Sequence, residues 1–182
     1  MIDLPLSAWF HAHPDPAVTA FMLLITHWHS TTGILLMAAV LGVALWHAGR
    51  SWWALSLLLS VPGGLLLNVA VKNLVRRPRP HFDDALLTLQ TYSFPSGHTA
   101  GATVFYGFLA VFLWTRFQDR GRRIAIGVVA AGMVLLVGVS RMYLGVHYFT
   151  DVIGAIVEGL LWLAICLHGV RILRRRQLAL PA

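Results

Sequence analysis

Apolar side chains fill five stretches of this chain, at about residues 20–47, 52–74, 98–115, 124–140 and 149–172. Each approaches or exceeds the roughly 20 residues that an α-helix needs to cross a bilayer. Lipid offers no hydrogen bonds, so a chain that enters it must satisfy its backbone N–H and C=O groups within each helix. Composition agrees, since 58% of the 182 residues are hydrophobic and 12% charged, against about 25% charged in a soluble domain. The sequence predicts an all-α, polytopic transmembrane helix bundle of about five spanning helices, with six possible.

Around that bundle the chain divides into three parts. Residues 1–16 set Leu4, Leu6, Trp9 and Phe10 among polar neighbours and close on Pro14 and Pro16, which reads as an N-terminal segment lying in the membrane interface. Its start is acidic and no small-residue cleavage site follows a short apolar core, so it is not read as a cleavable signal. Residues 17–173 form the transmembrane domain and 174–182 a basic cytoplasmic tail. Pro62-Gly63-Gly64 predicts a kink in the second spanning helix. Gly33 and Gly42 offer small positions where another helix could approach, and oligomeric state stays open. Cys166 is the one cysteine, which leaves neither a disulfide nor a thiolate metal site.

Charge supplies the orientation. The net charge is +7, and the cations are clustered by topology rather than spread as nucleic-acid binding would want. Arg50, the group Arg116, Arg120, Arg122 and Arg123, and the tail group Arg171, Arg174, Arg175 and Arg176 all fall at one end of a five-helix bundle. The positive-inside rule makes that end cytoplasmic. Lys72, Arg76, Arg77, Arg79 and Arg141 then lie at the outer end, against the rule, and cations kept there point to an anionic ligand. Arg76 and Arg77 read as snorkelling side chains at the interface, with lipid headgroup contact as a minor option.

Three stretches meet at the outer end. Lys72 and Arg79 flank "KNLVRRPRP", "PSGH" at 95–98 opens the third spanning helix, and "SRMYLGVHYFTD" at 140–151 joins the last two. Lys72, Arg79 and Arg141 suit a phosphate carrying two or more charges. Ser96 can cap the helix, so the N–H groups of Gly97 and His98 face an anion at the positive end of its dipole. His147 and Asp151, four apart, share a helix face. A carboxylate that accepts from one ring nitrogen leaves the other as a nucleophile, and His98 is placed to give a proton to a departing oxygen.

Read as K-x6-RP (Lys72 to Arg79-Pro80), PSGH (95–98) and SR-x5-H-x3-D (Ser140-Arg141 to His147 and Asp151), these stretches resemble the three-part signature of the type 2 phosphatidic acid phosphatase family, the lipid phosphate phosphatases. The likeness extends to the bacterial phosphatidylglycerophosphate and undecaprenyl-diphosphate phosphatases. It implies an integral-membrane hydrolase in which Lys72, Arg79, Ser96, Gly97 and Arg141 hold phosphate, His147 forms a phosphohistidine, Asp151 orients it and His98 serves as the acid. It implies no metal and no cofactor, and its substrate is a lipid phosphate or diphosphate at the outer face of a cytoplasmic membrane.

Two other functions fit the same residues: transfer of the phosphoryl group to a second lipid, and binding or translocation of a polyprenyl phosphate without chemistry. A binding site needs no nucleophile, so the His147–Asp151 pair speaks for the enzyme. Asp83 and Asp84 read as a solvated outer turn. Glu158, seven residues after Asp151, lies deeper on nearly the same face, and three readings stay open for it: a bond to Asn68 on the second spanning helix, a polar floor below the site, or a neutral carboxyl buried in helix packing. "HAH" at 11–13 and "HWH" at 27–29 lack the spacing to share a helix face as metal ligands.

Overall fold

A computed structural model describes residues 2–82, 87 and 89–179; Asp83 and Asp84 lie outside these. Among the described residues the chain forms helices alone: α1 (Asp3–Ala12), α2 (Pro16–Trp28), α3 (Thr31–His47), α4 (Ser51–Val75), α5 (Gly97–Trp114), α6 (Arg120–Tyr143) and α7 (Phe149–Ala179). Four of these, α4 to α7, are long and apolar enough to span a membrane, and α2 with α3 makes a fifth if the bent pair counts as one. Large apolar side chains such as Val40, Leu66 and Val128 face outward, while the polar Ser60, Asn68, Thr99 and Asp151 are inside. That inversion suits lipid as the solvent.

The first predicted span differs from expectation. Instead of one helix over 20–47, α2 and α3 meet at a 53° bend. The cause is a second helix start within "HWHSTTG": Ser30 caps α3 by accepting from the Gly33 N–H at 3.2 Å. Gly33 is also needed for the bend, since a Cβ there would meet the Trp28 carbonyl oxygen at 2.1 Å. Gly42 faces Leu57 of α4, so both glycines serve packing within the chain. Asp15 caps α2 and Pro16 takes its first position. Helix α4 runs unbroken through Pro62, and α7 runs on to Ala179.

Helix α5 is the centre, packed against α3, α4, α6 and α7. Its Val104, Phe105, Phe108 and Phe112 form the core with Ile34 of α3, Leu57 and Val61 of α4 and Leu163 of α7. Between helices in lipid the hydrophobic effect contributes little, so van der Waals packing and close approach must hold the bundle. Glycines supply the approach. A Cβ on Gly159 of α7 would meet Thr103 at 2.9 Å, and one on Gly138 of α6 would meet Val152 at 2.6 Å.

Candidate active site

The connections at one end of the bundle build the site. Helix α4 ends where Arg76 turns left-handed (φ 53°) and Pro78 follows, a stop that sends the chain across the bundle. Residues 91–96 return to the start of α5. Helix α6 ends at Tyr143, Gly145 turns with φ 70°, and α7 begins at Phe149. Thus α5 and α7 direct their N-termini, the positive ends of their dipoles, at the place where α4 and α6 finish.

Hydrogen bonds tie the three stretches together. Lys72 Nζ donates to the carbonyls of Tyr92 (2.9 Å), Ser93 (3.3 Å) and Pro95 (2.6 Å). Arg79 donates to Thr91 O, Thr91 Oγ1, Tyr92 O and Val146 O. The Ser96 N–H donates to the Asp151 carbonyl at 3.1 Å. Ser96 Oγ caps α5 at Thr99, and by helix geometry the N–H groups of Gly97 and His98 have no acceptor within α5. Space at Gly97 is limited by Asn68 Oδ1, 3.2 Å from where a Cβ would stand.

His147 is buried, and its tautomer follows from its neighbours. Arg79 Nη1 donates to His147 Nε2 at 3.2 Å; a guanidinium is always a donor, so Nε2 carries the lone pair and Nδ1 the proton. Nδ1 faces Asp151 Oδ2 at 3.4 Å, a contact that falls short of hydrogen-bond geometry and leaves Nδ1 without a hydrogen-bond partner. The imidazole is held neutral, its pKa lowered from 6.5 to about 3. Burial is the main cause, and Arg79, Lys72 and Arg141 add to it against the pull of Asp151.

Asp151 is itself held on every side. Its Oδ2 accepts from Ser93 Oγ and from the Tyr148 N–H, and its Oδ1 from Arg77 Nη1 at 2.7 Å. Arg141, 2% exposed, donates to Thr26 Oγ1 of α2, and its Nε has no partner. His98 lies in the field of the Arg141 and Arg79 guanidiniums. His29, at the α2–α3 bend, meets Tyr106 Oη at 2.8 Å. Below the site, Asn68 Nδ2 donates to Glu158 Oε2 at 2.8 Å, while Glu158 Oε1 is unpartnered.

All eight predicted site residues therefore sit in one cluster, with a difference in emphasis. Lys72 and Arg79 spend their donors on carbonyls and on His147, whereas Arg141 keeps a buried donor free. Arg77 is a correction: it is not a snorkelling side chain at the interface but bonds Asp151 and, at 2.8 Å, Asp3 of α1. Ser93 and Asp3 also went unread. Ser93 stands two residues before Pro95 in the quoted motif and gave a weak signal; Asp3, 148 residues before Asp151, gave none.

A helical membrane bundle with a buried histidine–aspartate pair among cations at its interfacial end is of the class of membrane-embedded phosphatases. The chain belongs to the PAP2 superfamily, whose family model matches residues 53–175. It is 34% identical over 148 residues to phosphatidylglycerophosphatase B of Bacillus subtilis, covering 81% of this chain and 72% of that one. It is 31% identical over 157 residues to undecaprenyl-diphosphatase BcrC of the same organism, covering 82% and 74%. Among solved structures, the Bacillus subtilis PAP2-type phosphatidylglycerolphosphate phosphatase superposes with a TM-score of 0.80 at 30% identity over 94% of this chain and 84% of that one. Aquifex aeolicus LpxE gives 0.72 at 25% identity over 92% and 96%. The protein is an integral-membrane lipid phosphatase.

Proposed function

We propose that the chain removes a phosphate from a lipid phosphate or diphosphate, of the phosphatidylglycerophosphate or undecaprenyl diphosphate kind, through a phosphohistidine at His147. The observation that carries the reading is the neutral His147 with Nε2 turned to Arg79 and Nδ1 to Asp151. Phosphate oxygens take over donors of Arg79 and the free Nε of Arg141, with Lys72, Ser96 and the N–H of Gly97 around them. Arg79 thereby releases Nε2.

Nε2 then attacks phosphorus, the P–O bond to the lipid oxygen breaks, and His98 gives that oxygen its proton. Asp151 stabilises the positive ring that forms. Water next attacks phosphorus, His98 takes its proton, and the P–N bond breaks to release inorganic phosphate. The site end faces outward from a cytoplasmic membrane, because the arginines of the α5–α6 turn and of the α7 terminus stand at the other end. Residues 17–173 carry this activity.

The test is phosphate release by purified protein from phosphatidylglycerophosphate, undecaprenyl diphosphate and phosphatidic acid, compared by kcat/KM. Wild type releases phosphate and forms an acid-labile phosphoprotein; His147→Ala loses about a thousandfold or more in kcat and forms none. A phosphoprotein that persists in His147→Ala overturns the assignment.

A further inference from the structure

The N-terminal helix enters the site through a chain of ion pairs that the three motifs do not contain. Arg77 Nη1 donates to Asp151 Oδ1 (2.7 Å) and to Thr150 Oγ1 (2.6 Å), and Nη2 donates to Asp3 Oδ2 (2.8 Å). Its guanidinium also stacks on the Tyr148 ring, 4.2 Å from the centroid. Asp3 in turn accepts from the Thr150 N–H at 3.0 Å on Oδ1 and from Thr150 Oγ1 at 2.6 Å on Oδ2.

The Thr150 N–H belongs to the first turn of α7, where backbone donors have no helical acceptor. Asp3 is thus a cap for α7 supplied by a different helix. The residue it caps is next to Asp151, so a rotation of that turn would carry Asp151 away from His147. Resting on the phosphatase reading above, we propose that Asp3 and Arg77 are positioning residues: α1 clamps the start of α7, and Arg77 fixes the Asp151 carboxylate that orients His147.

The surroundings favour an alignment role over a surface ion pair. Asp3 is 5% exposed and Asp151 is fully buried, so screening that makes exposed pairs weak is reduced. Burial by itself would raise the Asp3 carboxyl, yet its bonds to Thr150 and Arg77 hold it below the ordinary range. Arg76 is the contrast, since its Nε bonds to Asn73 O of its own helix at 2.9 Å and, among the described residues, it has no bond to Asp151.

The experiment compares kcat and KM of the full chain in detergent micelles for Asp3→Asn, Arg77→Gln, Arg77→Lys, the Asp3→Asn/Arg77→Gln double variant and Arg76→Gln, each with its thermal unfolding midpoint. Misalignment predicts kcat down about a hundredfold in Arg77→Gln and about tenfold in Asp3→Asn, with KM within about twofold. Arg77→Lys recovers part of the loss, and the double variant loses less than the product of the two single losses, because Asp3 and Arg77 hold the same first turn of α7. Arg76→Gln keeps wild-type rates.

Wild-type kcat in folded Asp3→Asn, or additive losses in the double variant, overturns the positioning role and leaves the phosphatase reading standing. A wild type that releases no phosphate while remaining folded overturns that reading, and this one with it.

Discussion

At the level of single residues, the site is decided by which protonation state the neighbours of His147 allow. Its folded pKa of about 3 lies well below the ordinary 6.5, so the ring is an unprotonated nucleophile across neutral and mildly acidic pH. The acid limb of kcat/KM, which reports the free enzyme, is expected well below 6.5 once the substrate's own phosphate titration, measured by 31P NMR, is removed. Arg79 is one of the cations that disfavour the imidazolium. Replacing it in Arg79→Gln makes protonation easier, so the limb moves up toward 6.5 while the maximal rate falls. A wild-type limb at 6.5 that Arg79→Gln leaves in place would show that His147 is not the group being titrated. His147 and Asp151 were read together from their four-residue spacing, but His147 stands two residues before α7 begins at Phe149, so the pair meets across a helix start and not along one helix face. Arg77 was misread for want of any such spacing: its partners, Asp3 and Asp151, are each 74 residues away, and local sequence gives a lone interfacial arginine the look of a snorkelling side chain.

Among elements, α5 and α7 matter most, because α5 presents Gly97 and His98 while α7 presents Asp151. They lie close enough for this only where α7 lacks side chains. At Gly159 a Cβ would stand 2.9 Å from Thr103 and 3.3 Å from the Ala100 carbonyl, and the latter is backbone that cannot step aside. Gly159→Val is therefore expected to cost about 1–3 kcal/mol by overpacking, read as a lower unfolding midpoint with reduced kcat. Gly132, where a Cβ would meet nothing within 4 Å, serves as the control, and Gly132→Ala should keep both values. Equal behaviour of the two variants would remove close approach as the reason for Gly159. The helices themselves were readable from apolar runs, to within a few residues at α4, α5 and the start of α7. The α2–α3 bend was not, although the polar stretch THWHSTTG at 26–33 interrupts the apolar content of residues 20–47 and holds the Ser30 cap and Gly33 that mark the break. A bond to Asn68 was one of the options that the sequence left open for Glu158, and the structure forms it at 2.8 Å.

Over the whole molecule, charge and site lie at opposite ends, and this separation makes orientation testable. Arg116, Arg120, Arg122 and Arg123 surround the α5–α6 turn, where Asp119 caps α6 and the Trp114 indole donates to the Arg123 carbonyl. The cations at the site end are instead engaged: Lys72 and Arg79 bond carbonyls, Arg77 pairs with two carboxylates, and Arg141 is buried. Cations neutralised or occupied in this way weigh little against the exposed arginines at the far end in setting topology. The site should then face out of the cell. Cys166 is buried, so single cysteines introduced in a Cys166→Ser background can be read cleanly with a membrane-impermeant maleimide. Gln90 and Gln118 are exposed at the two ends. In right-side-out vesicles Gln90→Cys should be labelled at once and Gln118→Cys only after permeabilisation. The reverse pattern would put His147 on the cytoplasmic side, where the substrate's phosphate would have to be presented from the inner leaflet.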